Sequence, residues 1–246
     1  MQTQLVVALD YSTLDQAEDL ISQLEGLPVI YKVGLELFLS AGPDWIKLLS
    51  ESGEKIFLDL KFHDIPHTVG QAVLKACELE PDFLTLHLTG GAAMLDEVEF
   101  RLKEARIAGL LKKIPKILGV SVLPVFQEGD WSSTANLLNR SGHGQERPIE
   151  ESILKFSMLA NDHQAIDGMI CSPHELAPIR AQYPDLFLMV PGIRPQGSFR
   201  HDQQSVMTPT EAKRVGASAI VVGRPILQAD DSREMTESIL DELKAA

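Results

Sequence analysis

Short apolar runs recur along the whole chain: LVVALD (5–10), VIYKVG (29–34), KIFLDLK (55–61), DFLTLHL (82–88), KILGVSVL (116–123), DGMICS (167–172), LFLMVPG (186–192) and AIVVG (219–223). Between most of them, apolar residues fall at helical spacing, as in Leu14–Leu24, Pro43–Glu51, Val69–Leu79 and Ala92–Ala108. Strands alternating with helices predict an α/β chain with parallel pairing and right-handed crossovers. Eight such units close a (β/α)8 TIM barrel, here expected as one domain over residues 1–246. An open doubly wound sheet is the competing topology. It would carry a Gly-rich turn after the first strand, and Asp10-Tyr-Ser-Thr has no glycine.

The rhythm breaks once, between Val122 and Ile170, where PVFQEGDWSSTANLLNRSGHGQERPIEES has mixed charge and little periodicity. It predicts an enlarged βα loop at about 124–150, and Pro191–Met207 has the same character of a binding loop or lid. A formal net charge of −13 argues against a polyanion-binding surface, so nucleic acid is not an expected partner. No apolar run approaches the roughly 20 residues of a membrane span. Met1-Gln-Thr-Gln leads into the first strand without a basic leader, which sets a cytoplasmic expectation. The two cysteines, Cys77 and Cys171, suggest neither a disulfide framework nor a zinc site, and a reducing compartment suits them.

In a barrel the chemistry collects at the C-terminal ends of strands. Asp10 closes the first run, Lys32 lies near the end of the second, and Asp59 and Lys61 close the third. Side chains alternate along a strand, so Phe57, Asp59 and Lys61 share one face while Ile56, Leu58 and Leu60 share the other. The apolar face suits the helix layer. The charged face then points into the barrel mouth, where a Lys–carboxylate arrangement offsets the cost of burying charge. Asp64, followed by Ile65-Pro66, is open to two readings, a helix cap or a functional carboxylate. Pro191-Gly-Ile-Arg194 and Gly223-Arg224-Pro225 follow the seventh and eighth runs, where barrels tend to bind phosphate through backbone N–H groups and Arg forks. His63 and His67 have i, i+4 spacing, but Pro66 between them speaks against a ligand-bearing helix, and no metal set is expected. His87 ends the fourth run on its inward face, lining the pocket or filling a core layer.

The stretch Asp59-Leu-Lys61-Phe-His-Asp64-Ile-Pro-His-Thr68 resembles the signature of the orotidine 5′-phosphate decarboxylases, and the likeness continues through Asp10, Lys32 in YKVGLELF, LHLTGG, PGIRPQG, Asp202-Gln203 and VVGRPI. It covers the chain except about Pro124 to Glu150. The resemblance implies a homodimeric (β/α)8 barrel that converts orotidine 5′-monophosphate to UMP and CO2 in pyrimidine biosynthesis, with no metal or organic cofactor. It implies Lys61 as the proton donor, with Lys32, Asp59 and Asp64 completing its charge network. Asp64, Ile65 and Thr68 would reach the neighbouring subunit's site. Asp10 and Lys32 would contact the nucleotide, Ser121 the pyrimidine, and Arg194, Gln203, Gly223 and Arg224 the phosphate side.

Three departures stand out. Ser121 replaces a common Thr, Gln204-Ser205 stands where basic residues are frequent, and the 124–150 segment has no counterpart. The alternatives are a sugar-phosphate decarboxylase or aldolase of the same barrel group, which shares an Asp-x-Lys-x-x-Asp strand and typically uses Mg²⁺, and a catalytically silent phosphometabolite-binding protein.

Overall fold

The computed structural model describes residues 3–123, 126, 128–138, 148–195 and 207–245. Strands β1 (Gln4–Ala8), β2 (Val29–Val33), β3 (Lys55–Phe62), β4 (Phe83–His87), β5 (Lys116–Val120), β6 (Gly168–Ile170), β7 (Phe187–Val190) and β8 (Ala219–Val222) pair in parallel in chain order, and β8 closes on β1. The expected barrel is therefore present, one strand in each apolar run. Most runs extend past the strand itself because buried residues continue into the loops at the C-terminal rim, among them Leu9, Val122 and Cys171.

The helices are α1 (Leu14–Gln23), α2 (Leu35–Glu51), α3 (Pro66–Cys77), α4 (Ala92–Ile107), α5 (Glu128–Leu138), α6 (Ile149–Asp162), α7 (Pro173–Gln182), α8 (Pro209–Val215), α9 (Arg224–Leu227) and α10 (Ser232–Ala245). Helix α2 begins eight residues before the predicted Pro43. Its first half carries Leu35 and Leu39 at 57% and 80% exposure, which blurs the apolar stripe, and it bends where Gly42 takes φ +76° ahead of Pro43. Between β5 and β6, two helices occupy a unit that elsewhere holds one. They are joined through Trp131, whose Nε1 donates to Ser152 Oγ at 2.8 Å and whose ring packs edge-on against Phe126 and Phe156. The rest of the expected 124–150 insertion lies outside the described residues.

Alternation along the strands divides the core into two layers. Val6, Ala8, Ile30, Phe57, Phe83, Leu118 and Met189 fill the barrel interior, while the opposite faces pack against the helices. Strand β3 departs from regularity at its end. Leu58 pairs with Leu84 and Phe62 with Leu86, so Asp59, Leu60 and Lys61 together lie opposite Thr85. Lys61 adopts φ +49°, a left-handed conformation costly for a side chain with a Cβ. Even so, Ile56, Leu58, Leu60 and Phe62 all pack with the outer layer.

Of the two strand glycines Gly119 and Gly168, the second leaves less room: a Cβ there would come within 2.3 Å of Phe187 O and 2.7 Å of its Cβ. Gly168→Ala is expected to lower stability by about 1–3 kcal/mol through overpacking, read as a shift in the urea unfolding midpoint at unchanged m-value.

Candidate active site

The predicted strand-end charges meet at the barrel mouth. Lys61 Nζ lies 2.8 Å from Asp59 Oδ2, Lys32 Nζ lies 3.9 Å from the same oxygen, and Lys32 Nζ donates to Asp10 Oδ1 at 3.0 Å. Charges thus alternate along Asp10, Lys32, Asp59 and Lys61. The Asp59 and Lys32 side chains are only 12% and 13% exposed, so the attraction between them acts in a medium well below the dielectric of water.

Thr85 completes this arrangement, and sequence reasoning missed it. It is fully buried, its Oγ1 donates to Asp59 Oδ1 at 2.9 Å, and the same oxygen accepts from the Lys61 backbone N–H at 2.9 Å. One hydroxyl therefore anchors both the central carboxylate and the left-handed backbone of Lys61. Its signal was parity: Thr85 lies between Phe83 and His87 on the inward face of β4.

Asp64 stands apart from the network. It is exposed, and its Oδ1 accepts from the Ile65 N–H at 2.6 Å. Ile65, not Asp64, occupies the N-cap position of α3, with Pro66 as the first helical residue, so the capping reading of Asp64 does not hold. Ile65 is 65% exposed and Thr68 is exposed beside it. His63 and His67 are exposed as well, with His67 Nδ1 3.9 Å from Glu97 Oε1. His87 is half-buried, and its ring centroid is 5.3 Å from that of His63. Burial first, then the neighbouring His63 and Lys61, hold the His87 imidazole below its ordinary range against the opposing pull of Asp59.

On the far side of the mouth, Arg194 follows β7 and Arg224 opens α9 after β8. Arg194 is 7% exposed, and its Nη1 donates to Ile193 O at 3.0 Å. Burial, and then the positive Arg224 nearby, pull its pKa below the usual arginine value. Two guanidinium groups held within repelling distance make a place that gains from an anion. Gly223 lies beside β1, where a Cβ would make ordinary contact with Ala8 and the Asp10 carboxylate at 3.4 Å. Ile193 and Met207 form a parallel bridge, and Arg194 N donates to Met207 O at 3.0 Å. Asp202, Gln203 and the interior of the expected 191–207 loop lie outside the described residues.

Beside the charge network is a cavity of about 150 Å³ with one charged wall, Lys32, Asp59 and Lys61, and another that is apolar at Val120, Val122, Ile170 and Val221 and also carries Ser172 and Glu175. Such a division suits a flat ring whose reactive edge faces the charges. Ser121 is buried next to this cavity but is not among the residues that line it, since the alternation that turns Val120 and Val122 inward takes Ser121 off that face. Cys171 lines the cavity and Cys77 lies in α3. Both thiols are free, and burial pushes that of Cys77 up to about 12. Among the described residues no three His, Cys, Asp or Glu side chains converge as a metal-ion site.

Comparison with known proteins gives a consistent picture. The model of the "Orotidine 5'-phosphate decarboxylase / HUMPS family" matches residues 3–239. The orotidine 5′-phosphate decarboxylase of Moorella thermoacetica is 39% identical over 241 residues, covering 98% of this chain and 92% of its own. That of Lactobacillus acidophilus is 40% identical over 245 residues, covering 98% of this chain and 99% of its own. The crystal structure of the Lactobacillus acidophilus enzyme superposes with a TM-score of 0.82 at 36% identity, covering 98% of this chain and 99% of that one.

The charge network makes different demands on its members. Thr85→Val, which keeps the shape but removes the hydroxyl, is expected to cost about 1–2 kcal/mol by leaving Asp59 Oδ1 and the Lys61 N–H without that partner. Asp59→Ala is expected to cost about 3 kcal/mol or more, because it leaves two ammonium groups confronting each other. Urea unfolding of the two variants beside the parent checks this order.

Proposed function

The chain belongs to the orotidine 5′-phosphate decarboxylase / HUMPS family, and from that premise we infer how its mouth residues carry out the family reaction. The activity is decarboxylation of orotidine 5′-monophosphate to UMP and CO2, a step of pyrimidine biosynthesis. The observation that carries the residue assignment is the direct Lys61–Asp59 ion pair on one wall of a cavity that is otherwise lined mostly by apolar residues.

The bond from C6 of the pyrimidine to the carboxylate breaks with its electron pair left on C6, and CO2 departs. That pair lies in the ring plane and cannot spread into the π system, so a fixed ammonium beside C6 is the stabiliser the reaction needs. Lys61 fills that role and then passes a proton from Nζ to C6, giving UMP. Asp59 balances the lysine charges and faces the departing carboxylate; Lys32 and Asp10 hold the ribose side. This chemistry calls for neither a metal nor an organic cofactor. Arg194, Arg224 and Gly223, with Gln203, take the phosphate. Ser121 is assigned to the pyrimidine edge on the strength of its hydroxyl, flanked by the cavity-lining Val120 and Val122.

The phosphate is remote from the reacting carbon, so its binding energy serves to organise and dry the site rather than to touch the bond that breaks. The working unit in this reading is a homodimer in which Asp64, Ile65 and Thr68 enter the neighbour's site. Their exposure, and the separation of Asp64 from its own chain's network, support it. A biosynthetic enzyme of this kind belongs in the cytoplasm, and among the described residues no helix is long and apolar enough to cross a membrane.

The test follows the absorbance change when orotidine 5′-monophosphate is added to EDTA-treated protein. Turnover is expected to survive EDTA and to fall by roughly a thousandfold or more in Lys61→Ala. Folded parent protein that leaves the nucleotide intact overturns the assignment and directs attention to sugar phosphates with Mg²⁺. On the phosphate side, Arg194→Ala is expected to lower kcat/KM by roughly tenfold to a hundredfold, the loss of a charge-assisted contact.

A further inference from the structure

His87 has surroundings that the reaction as described does not use. It closes β4 on the parity of Phe83 and Thr85, two residues beyond the hydroxyl that anchors Asp59 and Lys61. Its Nδ1 is buried and without a hydrogen-bond partner among the described residues. A buried polar atom in that state destabilises the fold relative to an apolar ring of similar size, so its presence calls for a functional reason. The groups that face the ring are Lys61 and Asp59 from β3 and His63 from the turn that follows it; on β5 its register partner is the apolar Val120.

The turn itself has few other anchors. Between the end of β3 at Phe62 and the start of α3 at Pro66 run His63, Asp64 and Ile65. Among the described residues Asp64 is tied only to its neighbour's N–H, and His63 makes a long contact to Thr89 Oγ1 at 3.5 Å besides resting on the His87 ring at 5.3 Å and a 41° tilt. The His63–His87 packing therefore ties this turn sideways to β4.

We propose that His87 is a positioning residue for the decarboxylation: by supporting His63 it fixes the turn between Lys61 and Asp64, and so the placement of the ammonium relative to the carboxylate offered across the subunit boundary. The proposal rests on the decarboxylase reading above. The working form of the ring is the neutral one, since an imidazolium would set a second cation facing Lys61 and repel His63 whenever that ring is also charged. The sign follows from the environment already described. A histidine held below its ordinary value of about 6.5 stays neutral at pH 7, and its contribution is lost only as pH falls through that lowered value.

The experiment combines imidazole NMR titration of the parent protein with pH profiles of kcat and KM for the parent, His87→Asn and His87→Phe. The parent ring is expected to stay neutral below pH 6.5 and to titrate at higher pH in Lys61→Ala, where a facing cation is gone. Both His87 variants are expected to fold, with His87→Phe at least as heat-resistant as the parent. Their kcat should fall about tenfold, with KM within about twofold and the His87-dependent part of the acid limb absent. A ring that titrates at or above the ordinary value regardless of Lys61 overturns the proposal and leaves the decarboxylase reading untouched. So does an unchanged kcat and acid limb in His87→Asn. Parent protein inert toward orotidine 5′-monophosphate overturns the decarboxylase reading itself, and this role with it.

Discussion

A single carboxylate, that of Asp59, separates two ammonium groups at the mouth of the barrel, and the catalytic end of the molecule is arranged around that fact. With both lysines partly withdrawn from water, their mutual repulsion is strong, and only a negative charge between them makes the arrangement tolerable. Asp59 is itself held by Thr85, so the position of Lys61 descends from a buried hydroxyl on the next strand. Rigid strands, rather than loops, thereby set the geometry where charge develops during reaction.

The two sides of the mouth use electrostatics in opposite senses. Around Lys61 the charges alternate and compensate one another before any ligand arrives. On the other side, Arg194 and Arg224 are close enough for the charge of one to oppose that of the other. The first side is preorganised for a reaction that moves an electron pair; the second, in the proposed reading, contributes its binding free energy when the phosphate is in place.

Much of this was legible in the sequence because it depends on periodicity. Eight apolar runs gave eight strands, and period-two alternation on β3 assigned Asp59 and Lys61 to the mouth and Ile56, Leu58 and Leu60 to the helix layer. What escaped had physical causes. Thr85 is a small polar residue inside an apolar run, and its inward parity, shared with Phe83 and His87, does not single it out until its partner on β3 is known. The first half of α2 hid behind exposed leucines. Asp64 remained ambiguous because Asp before X-Pro is equally good helix-start chemistry, and only the N-cap geometry of Ile65 separates the readings. Ser121 was singled out through the family resemblance, and parity turns it off the cavity face that Val120 and Val122 share.

The irregular end of β3 has a consequence for how such a site is inherited. Three residues of β3 stand opposite one of β4, an excess of two. A strand has two faces, so an excess of one would exchange them, sending Lys61 into the helix layer and a leucine into the mouth. An excess of two is the smallest that pushes the chain forward while leaving every later side chain on its own face. A shift of two thus re-aims the lysine within the mouth, whereas a one-residue slip of the strand would turn it to the other face.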